Sequence, residues 1–168
     1  MNALVVGLTI VFWVSAGLVA YVFVGYSVLI AVLAKAFGRP PKLAEPNEPK
    51  PSVSVVISAF NEERTLDRRL TEFEGLISES GLRGEVIVVS DGSTDRTMAI
   101  AREHERHGVV RAIEVWPNQG KAVALSTGCH AATHDVIVFA DARQTWAPDA
   151  LSKLISPLAD PTIGAVSG

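Results

Sequence analysis

The sequence predicts an α/β domain with a mainly parallel sheet, preceded by one transmembrane helix. Three observations predict it. No Asp, Glu, Lys or Arg occurs from Met1 to Ala34, and that run is apolar or weakly polar throughout. From Ser52 onward, short β-branched runs alternate with stretches of helical period. The residues able to do chemistry fall in the loops after the strands, where open α/β sheets bind ligands.

Composition sets the bounds. The chain has 168 residues, 48% hydrophobic and 20% charged, with a mean hydropathy of +0.29. All the charge lies from Lys35 onward, so two compositions are joined in one chain, which excludes uniform disorder. Fifteen Lys+Arg stand against 18 Asp+Glu, a net charge of −3, which argues against nucleic acid as a partner. The single cysteine, Cys129, excludes an intrachain disulfide framework and a multi-cysteine zinc site, and reads as a small buried apolar residue.

The elements follow in order. Residues 1–36 form the transmembrane helix, longer than the roughly 20 residues a bilayer needs and too long for a signal-peptide core. Met1 and Asn2 precede it, whereas Lys35, Arg39, Lys42 and Lys50 follow it. Basic residues stay on the cytoplasmic side, so a single-pass protein with its soluble part in the cytoplasm is expected. Residues 37–51 are a linker with Pro40, Pro41, Pro46, Pro49 and Pro51, a composition that favours an extended spacer. The domain occupies residues 52–168. Val53 to Ile57 is a first strand, buried on both faces. Leu66, Leu70, Phe73 and Ile77 mark the face of a first helix, broken by Gly81 and Gly84. Glu85 to Val89 is a second strand, followed by a turn at Asp91–Asp95 and a second helix ending near Gly108. Val109 to Trp116 is a third strand and Lys121 to Ala132 a third helix. Val136 to Ala140 is a fourth strand, and Pro148 opens a fourth helix to about Leu158. Ile163 to Ser167 has the composition of a fifth strand.

Three loops carry the chemistry. Asp91 can accept a hydrogen bond from a nucleobase N–H, with Gly92 permitting close approach, or the Asp91–Asp95 cluster can simply cap the next helix. Lys121, at the start of the third helix, suits a diphosphate or is a solvated lysine. Asp141, at the end of an apolar strand, is a hard oxygen ligand for Mg2+ or Mn2+, with Arg143 available to phosphate; a surface Asp–Arg pair is the plainer alternative. His104 and His107, like His130 and His134, are read as solvated, since no carboxylate or cysteine set nearby in sequence completes a metal site. Trp116 and Trp146 are expected to pack.

Together these segments resemble the family 2 glycosyltransferases, inverting enzymes with a Rossmann-like GT-A nucleotide-sugar-binding fold. The residues that carry the resemblance run Val53 to Glu63, Val88 to Asp95, Asn118 to Leu125 and Phe139 to Arg143. The resemblance implies that Ala59, Phe60 and Glu62 border the nucleoside, that Asp91 and Gly92 meet the base, and that Lys121 lies near the nucleotide. It makes Asp141 the first residue of a metal-binding Asp-x-Asp motif. Arg143 stands where that motif has its second Asp. The family's acceptor half, with its catalytic base, has no counterpart here, so no catalytic residue is nominated.

The function expected is the donor-binding portion of a membrane glycosyltransferase. The donor is a UDP- or GDP-sugar, the cofactor Mg2+ or Mn2+, and the acceptor a glycan or lipid-linked molecule. The chain alone is expected to be inactive, with one sheet edge and some apolar surface left uncovered. The alternative is a non-catalytic, membrane-tethered nucleotide-sugar-binding or subunit-interaction module. A nucleotidyltransferase would need a Gly-rich basic loop after the first strand, and residues 59–63 supply none.

Overall fold

The computed structural model describes residues 2–44 and 49–168. Pro46 of the expected linker, with Glu45, Asn47 and Glu48, lies outside the described residues, as does Met1. The chain divides into two compact units, Met1–Pro41 and Lys42–Gly168.

The first unit is one long helix. It comprises α1 (Ala3–Ala20), a π-helical turn at Tyr21–Gly25 and α2 (Tyr26–Phe37). At 35 residues and a mean hydropathy of 2.3, Ala3–Phe37 is long and apolar enough to cross a membrane. None of its most apolar window is buried within the protein. Its apolar side chains are mostly exposed among the described residues, and helical bonding satisfies the backbone, as a lipid environment requires. At the π turn the Tyr26 N–H donates to the Tyr21 carbonyl, an i to i+5 bond that inserts one residue without ending the helix.

The second unit contains β1 (Val53–Ala59), α3 (Leu66–Ser80), β2 (Gly84–Asp91), α4 (Thr97–Glu105), β3 (Val110–Val115), α5 (Lys121–Ala131), β4 (Val136–Asp141) and α6 (Ala150–Ile155). The strands form one parallel sheet in the order β3-β2-β1-β4. β1 and β2 are central, and their continuous apolar runs are buried on both faces, as expected for inner strands of a covered parallel sheet.

The two-residue period of the strands divides the core. Val53, Val55, Ile57, Val86 and Val88 face Leu66, Leu70, Phe73, Leu76 and Ile77 of α3. Val56, Ile87 and Val89 face the opposite way, onto Ala124 of α5. Each fully buried side chain of this size contributes roughly 1.5–3 kcal/mol. Gly128 lets α5 lie close to β1, since a Cβ there would come within 2.4 Å of Val56 Cγ1. Arg69 is fully buried in α3. It pairs with Glu72, and its Nε and Nη2 have no hydrogen-bond partner among the described residues.

Several sequence expectations are corrected. Ile163 to Ser167 is irregular and joins no ladder among the described residues. Pro148 lies in the turn before α6; the helix starts at Ala150 and gives way to a 3₁₀ turn at Ser156–Ala159. Trp146 packs edge-on against Phe73 at 5.2 Å, but Trp116 is 66% exposed beyond the end of β3. Cys129 is half-buried. His104 is buried rather than solvated, because α3 packs over the face of α4 that carries it. β3 and β4 are the sheet edges, and Ile137, Phe139 and Val123 are exposed.

Candidate active site

The connection from β3 through α5 carries the chain past β2 and β1 to β4. The topology therefore reverses between β1 and β4, and a crevice opens beyond their carboxyl ends. A cleft of about 380 Å³ lies there, lined by Ser58, Phe60, Glu62, Asp91, Asn118, Gly120, Lys121, Asp141 and Arg143.

Its floor is laced together by polar side chains. Asn61 adopts φ 53°, a left-handed conformation that its short amide tolerates. Its Oδ1 accepts the Thr94 N–H at 2.9 Å, and its own N–H donates to Ser93 Oγ at 3.2 Å. The Glu62 N–H donates to Thr97 Oγ1 at 2.8 Å, and the Glu63 N–H to Asp95 Oδ2 at 3.2 Å. Asp95 also accepts the Thr97 N–H at 2.9 Å. Burial opposes its charge, but the bonds from Thr97 and Glu63 outweigh that and hold its carboxyl below the usual range. The Ser-Thr-Asp part of the turn after β2 thus ties that turn to the loop after β1 and the start of α4.

Asp91 organises the third loop. It is buried, and its two carboxylate oxygens accept the N–H groups of Gln119 and Gly120, each at 2.8 Å. Asn118 Nδ2 donates to the Asp91 carbonyl at 2.7 Å. Gly92 has φ +68°, and a Cβ there would lie 2.4 Å from the Asn118 nitrogen. The glycine is therefore required both by its dihedral and by the approach of the neighbouring loop.

Charge is concentrated at the mouth. Arg143 donates from Nε and Nη2 to Glu62 Oε1, at 2.7 and 2.6 Å. Glu62 is mostly covered, and its other oxygen accepts the Thr65 hydroxyl at 2.9 Å. Glu62 thereby fixes the guanidinium and raises its pKa further. Lys121 Nζ lies 3.2 Å from Asp141 Oδ2, and the Arg143 N–H donates to Asp141 Oδ1 at 2.9 Å. The Arg143 N–H, ahead of opposing burial and the Lys121 bond, keeps the Asp141 carboxyl below its ordinary range. Asp141 is therefore ionised at neutral pH and remains 39% exposed. Such a carboxylate fits a divalent cation that completes its shell with phosphate oxygens and water.

The structure thus gathers Phe60, Glu62, Asp91, Lys121, Asp141 and Arg143 around one cleft. Ala59 differs: its methyl joins the core, and its neighbour Ser58 lines the cleft. Gly92 acts through its backbone. Ser58, Asn118 and Gly120 also line the cleft, and sequence alone assigns them no site role. The alternation of strand faces bears on Ser58, and the polar Asn118–Gly120 loop on the other two.

The fold and cleft define a class: an α/β ligand-binding domain of the GT-A type. A model described as Glycosyl transferase family 2 matches residues 54–168. The chain belongs to that family. It is 36% identical over 104 residues to a dolichyl-phosphate beta-glucosyltransferase of Drosophila melanogaster, covering 57% of this chain and 32% of that protein. It is 26% identical over 149 residues to a poly-beta-1,6-N-acetyl-D-glucosamine synthase of Staphylococcus epidermidis, covering 88% and 35%. Among solved structures, a mannosyltransferase from Pyrobaculum calidifontis in complex with GDP-Man and Mn2+ superposes with a TM-score of 0.70 at 31% identity, covering 89% of this chain and 44% of that one. Glucosyl-3-phosphoglycerate synthase from Mycobacterium tuberculosis, in complex with Mn2+, UDP and phosphoglyceric acid, gives 0.54 at 30% identity, covering 64% and 39%. The chain spans about a third of the length of the curated relatives it matches.

Proposed function

We propose that this chain is the donor-binding part of a membrane glycosyltransferase that takes a sugar from a nucleotide-diphospho-sugar. One observation carries the reading. Two cationic side chains, Lys121 and Arg143, flank an ionised carboxylate, Asp141, in a cleft at the switch point of the sheet. Both side chains are mostly exposed, so an incoming diphosphate can reach them.

The residues have separable roles. Glu62 holds Arg143 in register, so the guanidinium meets a phosphate without losing freedom at the moment of binding. Lys121, beside the start of α5, adds a mobile positive charge. Asp141 would hold Mg2+ or Mn2+, whose chemistry is to stabilise the departing diphosphate. The half-exposed Phe60 offers a face to the nucleoside. Each Asp91 oxygen keeps a second lone pair after accepting its loop N–H, and uracil and guanine both present an N–H to such an acceptor. In relatives the named ligands are GDP-Man with Mn2+ and UDP with Mn2+, which supports either base.

The membrane helix is single-pass with the domain in the cytoplasm, supported by Lys35, Arg39, Lys42 and Lys50 on that flank. The acceptor is a glycan or lipid-linked molecule reached at that membrane face. Calorimetry of the full chain in detergent with UDP or GDP, with and without Mn2+, tests the reading. Arg143→Ala and Asp141→Asn each weaken nucleotide binding at least about 10-fold, the value of one charge-assisted contact of roughly 1.5–3 kcal/mol. Wild-type affinity in both variants overturns the assignment.

A further inference from the structure

We propose that Glu74, His104 and His107 form a second metal site, for a borderline transition ion such as Zn2+, that clamps α3 to the end of α4. It lies in a different side-chain cluster from the cleft and does not depend on the donor-binding reading.

The geometry is that of ligands facing one point. His104 Nδ1 lies 3.3 Å from Glu74 Oε2, and His107 Nδ1 lies 3.2 Å from Glu74 Oε1. One ligand atom from each of the three residues can be chosen so that all lie within 4.8 Å of one another. Bonds of about 2.0–2.1 Å in a tetrahedron put ligands about 3.3–3.4 Å apart; each His–Glu separation is of that size but ends on a different carboxylate oxygen, so an ion bound by both imidazoles at these positions would be held by both oxygens of Glu74. The two imidazoles meet edge to face, with centroids 5.3 Å apart.

The arrangement around His104 points the same way. Its side chain is 6% exposed, and both ring nitrogens face carboxylates, since Nε2 lies 3.0 Å from Asp67 Oδ1. A neutral imidazole has one N–H and one lone pair, so one of these contacts sets a lone pair against an anion. A cation between Nδ1 and Glu74 removes that conflict. Nε2–H then donates to Asp67, the carboxylate–histidine–metal relay that orients ligating imidazoles. A second ring proton would also remove it, and the experiment separates the two. His107 is 59% exposed, which gives an ion its entry and leaves a coordination position for water. Two nitrogens and one carboxylate favour Zn2+ over Mg2+ or Mn2+, which prefer all-oxygen shells.

The test uses the tag-free full chain in detergent, stripped with EDTA. Zn2+ should raise the unfolding temperature, and Co2+ should give the visible absorption of a tetrahedral site, which Zn2+ then displaces. His107→Ala and Glu74→Gln should each abolish both effects, and His107→Ala, at an exposed position, should keep the metal-free unfolding temperature of the parent. Asp67→Asn should weaken Zn2+ binding about 10–100-fold. Asp141→Asn should leave it unchanged. No response to either ion in the parent, or a full response in His107→Ala, overturns the proposal. Loss of the response in Asp141→Asn would place the ion in the cleft and overturn it equally.

Discussion

Replacing Gly92 by alanine should separate the cost of a dihedral from the cost of a collision. Gly92 has φ +68°, and its missing Cβ faces backbone: Asn118 N at 2.4 Å and Asn118 Cα at 2.8 Å. An L-residue in that conformation costs about 1–2 kcal/mol. The contact adds more, since Asn118 must move while its side chain is bound to the Asp91 carbonyl and the next two N–H groups are bound to the Asp91 carboxylate. Losing one such bond to a charged acceptor costs about 1.5–3 kcal/mol. Gly92→Ala should therefore destabilise the domain by about 2.5–5 kcal/mol, a large share of the 5–15 kcal/mol typical of a folded domain. Gly108→Ala is the control. It has φ +87° with nothing within 4 Å of the would-be Cβ, so only the conformational cost, about 1–2 kcal/mol, remains. Urea unfolding of both variants in detergent, followed by circular dichroism, gives the comparison. Equal losses at the two positions would refute the claim that the approach of Asn118 demands glycine.

Other consequences are as direct. Gly128→Val should cost about 1–3 kcal/mol by overpacking α5 against Val56, read as a lower urea midpoint with an unchanged slope. Arg69→Met should be neutral or stabilising, because it removes a buried guanidinium with two unpaired nitrogens, whereas Glu72→Ala should cost about 3 kcal/mol by stranding that charge. Glu85 is opposed by burial, but bonds from the Ser54 hydroxyl and from Thr133 outweigh this and hold its carboxyl below the usual range. Its folded pKa is thus lower than its unfolded one, so its stabilisation is complete above the unfolded value, about 4.3, and is lost as pH falls through the folded value. Glu85→Gln should cost about 1.5 kcal/mol at pH 7 and progressively less in acid, measured by urea unfolding across pH 3–7.

Much of this molecule is legible along the chain because the relevant forces are local. A charge-free run from Met1 to Ala34 can only be helical in lipid, whatever else surrounds it. β-Branched runs at Val53–Ile57 and Val86–Val89 demand burial on both faces, which a covered parallel sheet provides. Strand ends mark where ligand loops stand, which puts Asp91, Lys121, Asp141 and Arg143 at one edge of the sheet. Composition misled where pairing decides: Ile163 to Ser167 has the residues of a strand but pairs with none of the strands among the described residues.

What only the tertiary structure decided is which side chains meet across elements distant in sequence. The Asp91 carboxylate holds the backbone of Gln119 and Gly120; Glu62 holds Arg143 from 81 positions away; Glu74 and Asp67 close on His104. Periodicity reveals that a residue lies on a face, but the crossover of each helix determines what that face meets. Ionic and hydrogen-bonding chemistry depends on separations of a few ångströms, which chain order does not encode.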